Sequence, residues 1–125
     1  MKVVDTSVAV DHLRGGAAAT AVLQAAIGGG EPLVASEVVR FELLAGVRDS
    51  ERAGLEDFFG VLSWVPVDEN VSRLAGALAR RYRRSNSGID ASDYAVAATS
   101  LLLEAELLTT NVRHYPMLEG LQPAY

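Results

Sequence analysis

Short unbroken apolar runs alternate with stripes of helical spacing along this chain, and that alternation leaves few folds open. Residues 2–4, 32–35, 64–67 and 105–109 read as strands, and 120–124 as a short fifth. Between them, apolar residues recur every three or four positions, as amphipathic helices require. Val8, Val10 and Leu13 form one stripe, followed by the alanine-rich residues 17–27. Val39, Leu43, Leu44 and Val47 form the next, then Leu55, Phe58, Phe59 and Leu62. Val71, Leu74, Leu78 and Tyr82 follow, and then Tyr94, Ala97 and Ala98 with Leu101 or Leu102. A strand with one wet face alternates apolar and polar residues; these do not, so both faces are expected to be covered. The chain therefore reads as α/β, with three layers and a mostly parallel sheet of 4–5 strands flanked by helices. Pro66 places the third strand near an edge. Asp5-Thr6-Ser7, Ser36, Asp68 and Asp90 are helix caps by position, and glycines at 15–16 and 28–30 stop helices.

A chain of 125 residues is long enough for one real core, so residues 1–125 are expected to form a single domain. Half of the residues are hydrophobic, which excludes disorder as the overall state. There are no cysteines, hence no disulfides and no thiolate metal sites, in keeping with a reducing cytoplasm. The start does not read as a signal peptide, since an aspartate follows only two consecutive valines. The run over residues 94–103 is too short to span a bilayer. The net charge of −5 argues against non-specific nucleic-acid binding through bulk charge. Its distribution matters more: Arg80, Arg81, Arg83 and Arg84 crowd into five positions before Ser85-Asn86-Ser87-Gly88. They read either as a solvated helix end complementing the dipole or as a contact for a phosphate backbone.

In parallel sheets the ligand site lies beyond the carboxyl ends of the strands, where the strand order reverses. Asp5 follows the first strand and is expected there. It is also an N-cap by position, although Thr6 or Ser7 would cap equally well and free it. Glu42 sits among apolar neighbours on a helix, with Glu37 as a rival. Asp90 and Asp93, at i and i+3, share a helix face; the same spacing at a helix start is a capping arrangement with Asp90 as N-cap. Asp93 leads into a small, apolar run, and a carboxylate there needs a cation or several donors. Asn111 follows Thr109-Thr110 and reads by itself as a turn residue. His12 and His114 are isolated and read as surface or satisfied imidazoles. No glycine-rich phosphate loop and no Gly-x-Ser-x-Gly elbow is present.

Taken together, four segments resemble the PIN domain, and among its members the VapC-type ribonuclease toxins of toxin–antitoxin pairs. Val4-Asp5-Thr6-Ser7-Val8 resembles the family's opening motif, and Glu42-Leu43-Leu44-Ala45-Gly46 its second acidic segment. Asp93-Tyr94-Ala95-Val96-Ala97-Ala98-Thr99 is similar to its small-residue helix. Leu108-Thr109-Thr110-Asn111-Val112-Arg113-His114-Tyr115 is similar to its closing segment. The resemblance implies metal-assisted hydrolysis of RNA. Asp5 and Asp93 correspond to the principal Mg²⁺ ligands, Glu42 to the third acid, and Asn111 to a position where many relatives carry aspartate. Mn²⁺ would be a substitute ion. That asparagine implies one firmly held ion, with a second arriving with substrate if at all. Asp90 has no firm counterpart and stands as a helix cap or an auxiliary ligand. Thr6, Ser7 and Thr109 correspond to hydroxyls that orient the acids.

The resemblance further implies a VapB-like antitoxin whose C-terminal segment lies in a groove, formed partly by helices around residues 38–47 and 55–59. It implies a homodimer, a cytoplasmic location and no membrane association. Arg80, Arg81, Arg83, Arg84 and Arg113 would supply the basic path for RNA. Two alternatives stay open: another metal-dependent nuclease or phosphoesterase, or a PIN-fold binding module with a degenerate site. A receiver domain is disfavoured, because Lys2 is the only lysine and no acid pair follows the first strand.

Overall fold

The computed structural model describes residues 1–125. The strands are β1 (Lys2–Val4), β2 (Leu33–Ser36), β3 (Ser63–Val65) and β4 (Glu106–Leu108). The helices are α1 (Thr6–Leu13), α2 (Ala17–Gly28), α3 (Glu37–Gly46), α4 (Arg52–Phe59), α5 (Glu69–Tyr82) and α6 (Ala91–Leu103). Single 3₁₀ turns cover Asp49–Glu51 and Val112–His114. The sheet has four strands, all parallel, in the order β3-β2-β1-β4.

Burial along the strands explains the unbroken apolar runs. Val3 and Val4 are both 0% exposed although consecutive strand residues point to opposite faces. The pairs Val34 with Ala35 and Leu107 with Leu108 are likewise buried. Helices therefore cover both faces, as the sequence predicts. A single cluster of 23 buried apolar residues draws on all of the strands except β3 and on helices α1 to α4 and α6. β3 lies on the edge, and its ladder ends at Val65 because Pro66 has no N–H to donate.

Three expectations need correction. Residues 120–124 form no strand; they join the strand region by one backbone bond, from Ala124 N–H to Thr109 C=O at 2.9 Å. Gly120 has φ +74° and Pro123 lacks an N–H, so the segment cannot sustain a ladder. Leu44, placed in the inner stripe of α3, is 45% exposed, while Val39 and Leu43 are buried. Neither Leu101 nor Leu102 is packed: both are exposed at the end of α6. α6 is instead buried on every side over residues 94–100, where its small residues let α5, α3, β2 and β4 approach.

The caps explain where the helices begin. Ser36 Oγ accepts the Val38 N–H at 3.2 Å, and Asp68 Oδ1 accepts the Val71 N–H at 2.9 Å. Gly15 ends α1 with φ +83°, a conformation that side chains resist. The chain runs outward from β1 to β2 and β3, then returns to lay β4 on the other flank of β1. That reversal puts the switch point at β1 and β4, whose carboxyl ends carry Asp5 and Thr109 side by side.

Candidate active site

Asp5 takes the extended N-cap conformation before α1, yet its side chain makes no capping bond. Its carboxylate turns across the sheet edge instead. Oδ2 accepts the Thr109 hydroxyl at 2.6 Å and the Ser7 hydroxyl at 3.2 Å. Oδ1 accepts the Tyr115 hydroxyl at 3.0 Å. The residue is 5% exposed, so these donors stand in for water. The donors are themselves fixed: Thr110 N–H donates to Ser7 Oγ at 3.1 Å and Asn111 N–H to Thr109 Oγ1 at 3.0 Å.

Asp93 sits in the first turn of α6. Its Oδ2 accepts the Asp90 N–H at 3.0 Å, the reciprocal arm of a capping box. His114 Nδ1 lies 3.2 Å from the same oxygen. Oδ1 faces the Tyr115 hydroxyl at 3.4 Å, a longer and weaker contact. Burial raises the Asp93 carboxyl above its usual range; the Asp90 amide and His114 oppose the shift, and the charges of Asp5 and Asp90 add to it. Tyr115 is 1% exposed. Burial, then the charges of Asp5 and Asp93, push its phenol far above the ordinary value, so it stays a protonated donor.

Glu42 projects from α3 near these two acids, and its charge is felt at the Tyr115 phenol. Oε1 accepts the Thr6 hydroxyl at 2.7 Å and Oε2 the Ser92 hydroxyl at 3.3 Å. Glu42 also lines a cavity of about 250 Å³ whose walls include Val10, Leu13, Leu43, Val47, Gly54 and Leu55. α1, α3 and the start of α4 line it; of residues 55–59, expected in the groove, only Leu55 takes part.

The other candidates stand apart. Asp90 is the exposed N-cap residue of α6. Asn111 is exposed, and only its backbone engages the site. Arg80, Arg81, Arg83, Arg84 and Arg113 are all exposed and none forms an ion pair, although Arg81 lies over the Tyr82 ring at 5.4 Å. His12 is satisfied by Thr20 at 2.7 Å, as expected, whereas His114 faces Asp93. Tyr115, His114 and Ser92 are the site residues that sequence reasoning missed. None of the three carries a local signal, since their burial and partners are set by the fold.

No three His, Asp or Glu side chains converge closely enough to form a ligand cluster. The donor set nevertheless suits a hard divalent cation. Mg²⁺ keeps several waters and needs only one or two carboxylates from the protein. Asp5 and Asp93 supply such a pair, all oxygen, facing one hydroxyl, with no lysine or arginine paired to either. Glu42, held off by Thr6 and Ser92, is placed to border that pair without completing a cluster.

Residues 2–116, which hold the four-stranded parallel sheet and the acids at its switch point, match the PIN domain family. The chain belongs to it. Over its full length it is 58% identical to Ribonuclease VapC19 of Mycobacterium tuberculosis, the match covering 100% of both chains. It is 40% identical to Ribonuclease VapC10 of the same organism, covering 100% of this chain and 93% of the relative. Among solved structures it resembles a toxin–antitoxin complex from Klebsiella pneumoniae, with a TM-score of 0.83 at 19% identity over 100% and 98% of the two chains. It also resembles VapBC2 from Rickettsia felis bound to a DNA fragment from their promoter, with a TM-score of 0.82 at 17% identity over 96% and 94%. At such identities the likeness is one of fold.

Proposed function

We infer that this protein is a metal-dependent endoribonuclease toxin of the VapC type, restrained by a VapB-like antitoxin. The observation that carries the reading is the Asp5–Asp93 pair, buried and half-buried, joined through the Tyr115 hydroxyl in a chain 58% identical, end to end, to Ribonuclease VapC19. Residues 1–125 are taken as one PIN domain. Asp5 and Asp93 would hold the ion, Mg²⁺ with Mn²⁺ as a substitute, and Glu42 would be the third acid beside them. When bound, such an ion supplies Lewis acidity toward a phosphate oxygen and an acidified water.

The chain's own residues do the rest. Thr109 and Ser7 donate to one oxygen of the Asp5 carboxylate and fix its orientation. The Asp90 amide and His114 orient Asp93 and oppose, without cancelling, the rise that burial imposes on its carboxyl. Thr6 and Ser92 hold Glu42 between the acid pair and the groove. Asn111 lies on the rim and adds no charge, which favours a single resident ion. Arg80, Arg81, Arg83, Arg84 and Arg113 offer unpaired cations to the RNA backbone. The antitoxin segment would occupy the groove ending at Glu42. A cytoplasmic homodimer completes the reading; no helix is long and apolar enough to cross a membrane.

The test uses matched RNA and DNA oligonucleotides with Mg²⁺. The wild type should cut only RNA. Asp5→Asn and Asp93→Asn should each abolish cleavage while the circular dichroism spectrum is kept. Full activity in either variant, or equal cutting of DNA, would sink the reading. A binding module with a degenerate site is the second reading, favoured by the lack of a three-acid cluster. Absence of Mn²⁺ binding, with and without RNA, would select it.

A further inference from the structure

Tyr115 is the one side chain in contact with both candidate metal-binding acids. Its hydroxyl is 3.0 Å from Asp5 Oδ1 and 3.4 Å from Asp93 Oδ1. The other bonds to these carboxylates are local to each: Ser7 and Thr109 serve only Asp5, and the Asp90 amide and His114 serve only Asp93. The two acids come from the first residue after β1 and the first turn of α6, elements not hydrogen-bonded to each other. Their separation is therefore set by what lies between them. A phenol carries one proton, so it can satisfy only one of the two oxygens at a time. The other carboxylate oxygen is left facing it without a full bond, in a place where burial already penalises charge.

We propose that Tyr115 is a positioning residue for the metal centre: its hydroxyl holds Asp5 and Asp93 at a fixed separation and leaves their demand for a cation unmet. The proposal rests on the reading of these acids as the metal pair. Without the hydroxyl, Asp93 Oδ1 loses its only hydrogen-bond partner, and two like charges are free to move apart. Binding must then supply the ordering that the phenol provides. Loss of such an outer hydrogen bond typically weakens metal binding by about 10- to 100-fold.

Tyr115→Phe keeps the ring and removes only the hydroxyl. Mn²⁺ is the probe, followed by isothermal titration and by electron paramagnetic resonance of the free ion. We expect binding to the variant to be weaker by about 10-fold. The Mg²⁺ concentration for half-maximal RNA cleavage should rise in parallel, with the RNA KM and the rate at saturating Mg²⁺ nearly unchanged. A merely structural role would not produce that split. Unchanged or tighter Mn²⁺ binding in Tyr115→Phe overturns the proposal, provided the wild type binds Mn²⁺ and Asp93→Asn does not. If the wild type itself binds none, the assignment of the acid pair fails instead, and this inference with it.

Discussion

At Asp93, stability and chemistry pull in opposite directions. Burial raises its carboxyl above the ordinary value of 3.8, more than the Asp90 amide and His114 lower it. A raised carboxyl favours the protonated form in the folded state. Its stabilising contribution is complete below about pH 3.8 and is lost as pH rises through the folded value. Near neutrality the ionised Asp93 is thus a burden on the metal-free protein, and Asp5, Asp90 and Tyr115 around it supply no countercharge. Asp93→Asn should raise the melting temperature in EDTA at pH 7 by ~3 °C, and the gain should shrink toward pH 4. Thermal denaturation across that range checks it; a lower melting temperature at pH 7 would mean that the donors around Asp93 outweigh its burial. Asp5 and Asp93 were legible in sequence because each marks a change of element: the end of an apolar strand, and the mouth of a small-residue helix. Of the supports, the hydroxyls of Thr6, Ser7 and Thr109 came from the resemblance alone, and Tyr115 and Ser92 from neither pattern nor resemblance. Tyr115 lies 110 residues from Asp5 and 22 from Asp93, and Ser92 lies 50 from Glu42. No local pattern encodes such pairings.

At the scale of elements, α5 has two different ends. Its start is fixed by the Asp68 cap and by Glu69 paired with Arg73 at 2.7 Å. Its other end presents Arg80, Arg81, Arg83 and Arg84 to solvent without acidic partners. A dipole-complementing role needs only one or two of these cations, worth about 0.3–1 kcal/mol each. Four leave an excess that suits a phosphate backbone. Arg81→Glu with Arg84→Glu should weaken binding of a catalytically dead variant to RNA and reduce the slope of log affinity against log salt by roughly 1 to 2. Fluorescence anisotropy at several salt concentrations measures both. An unchanged slope would return these residues to the helix-end role. Strands and helices were read well here because period and composition agree within each. The failures share one cause: an apolar residue says that it can be buried, not that it is. Residues 120–124 pack Leu121 and Ala124 against the core as irregular chain, and Leu44, Leu101 and Leu102 face out. Apolar runs of that length do not separate a strand from a packed loop.

At the scale of the whole molecule, the site exists because the chain reverses direction across its sheet. β1 pairs with β4 across about a hundred residues, Lys2 with Glu106 and Val4 with Leu108. That order was not readable from any single segment; only the resemblance of four motifs suggested that they meet. The outward run from β1 to β3 sets α1, α3 and α4 around a groove that Glu42 also lines. Gly54 lines this groove on α4, and a Cβ built there would meet nothing within 4 Å. A larger side chain at that position would enter the groove without disturbing the core, and replacing a helical glycine favours the helix by up to about 1 kcal/mol. Gly54→Leu should therefore keep or raise the melting temperature and leave RNA cleavage by the free toxin intact. If the antitoxin segment lies in the groove, its affinity should fall at least about tenfold, since one occluded anchor pocket is worth more than 1.4 kcal/mol. Titration with a peptide of the antitoxin's C-terminal segment reads this directly. Unchanged affinity would place the partner on another face, and the exposed Phe41 and Leu44 of α3 would then be the next surface to alter.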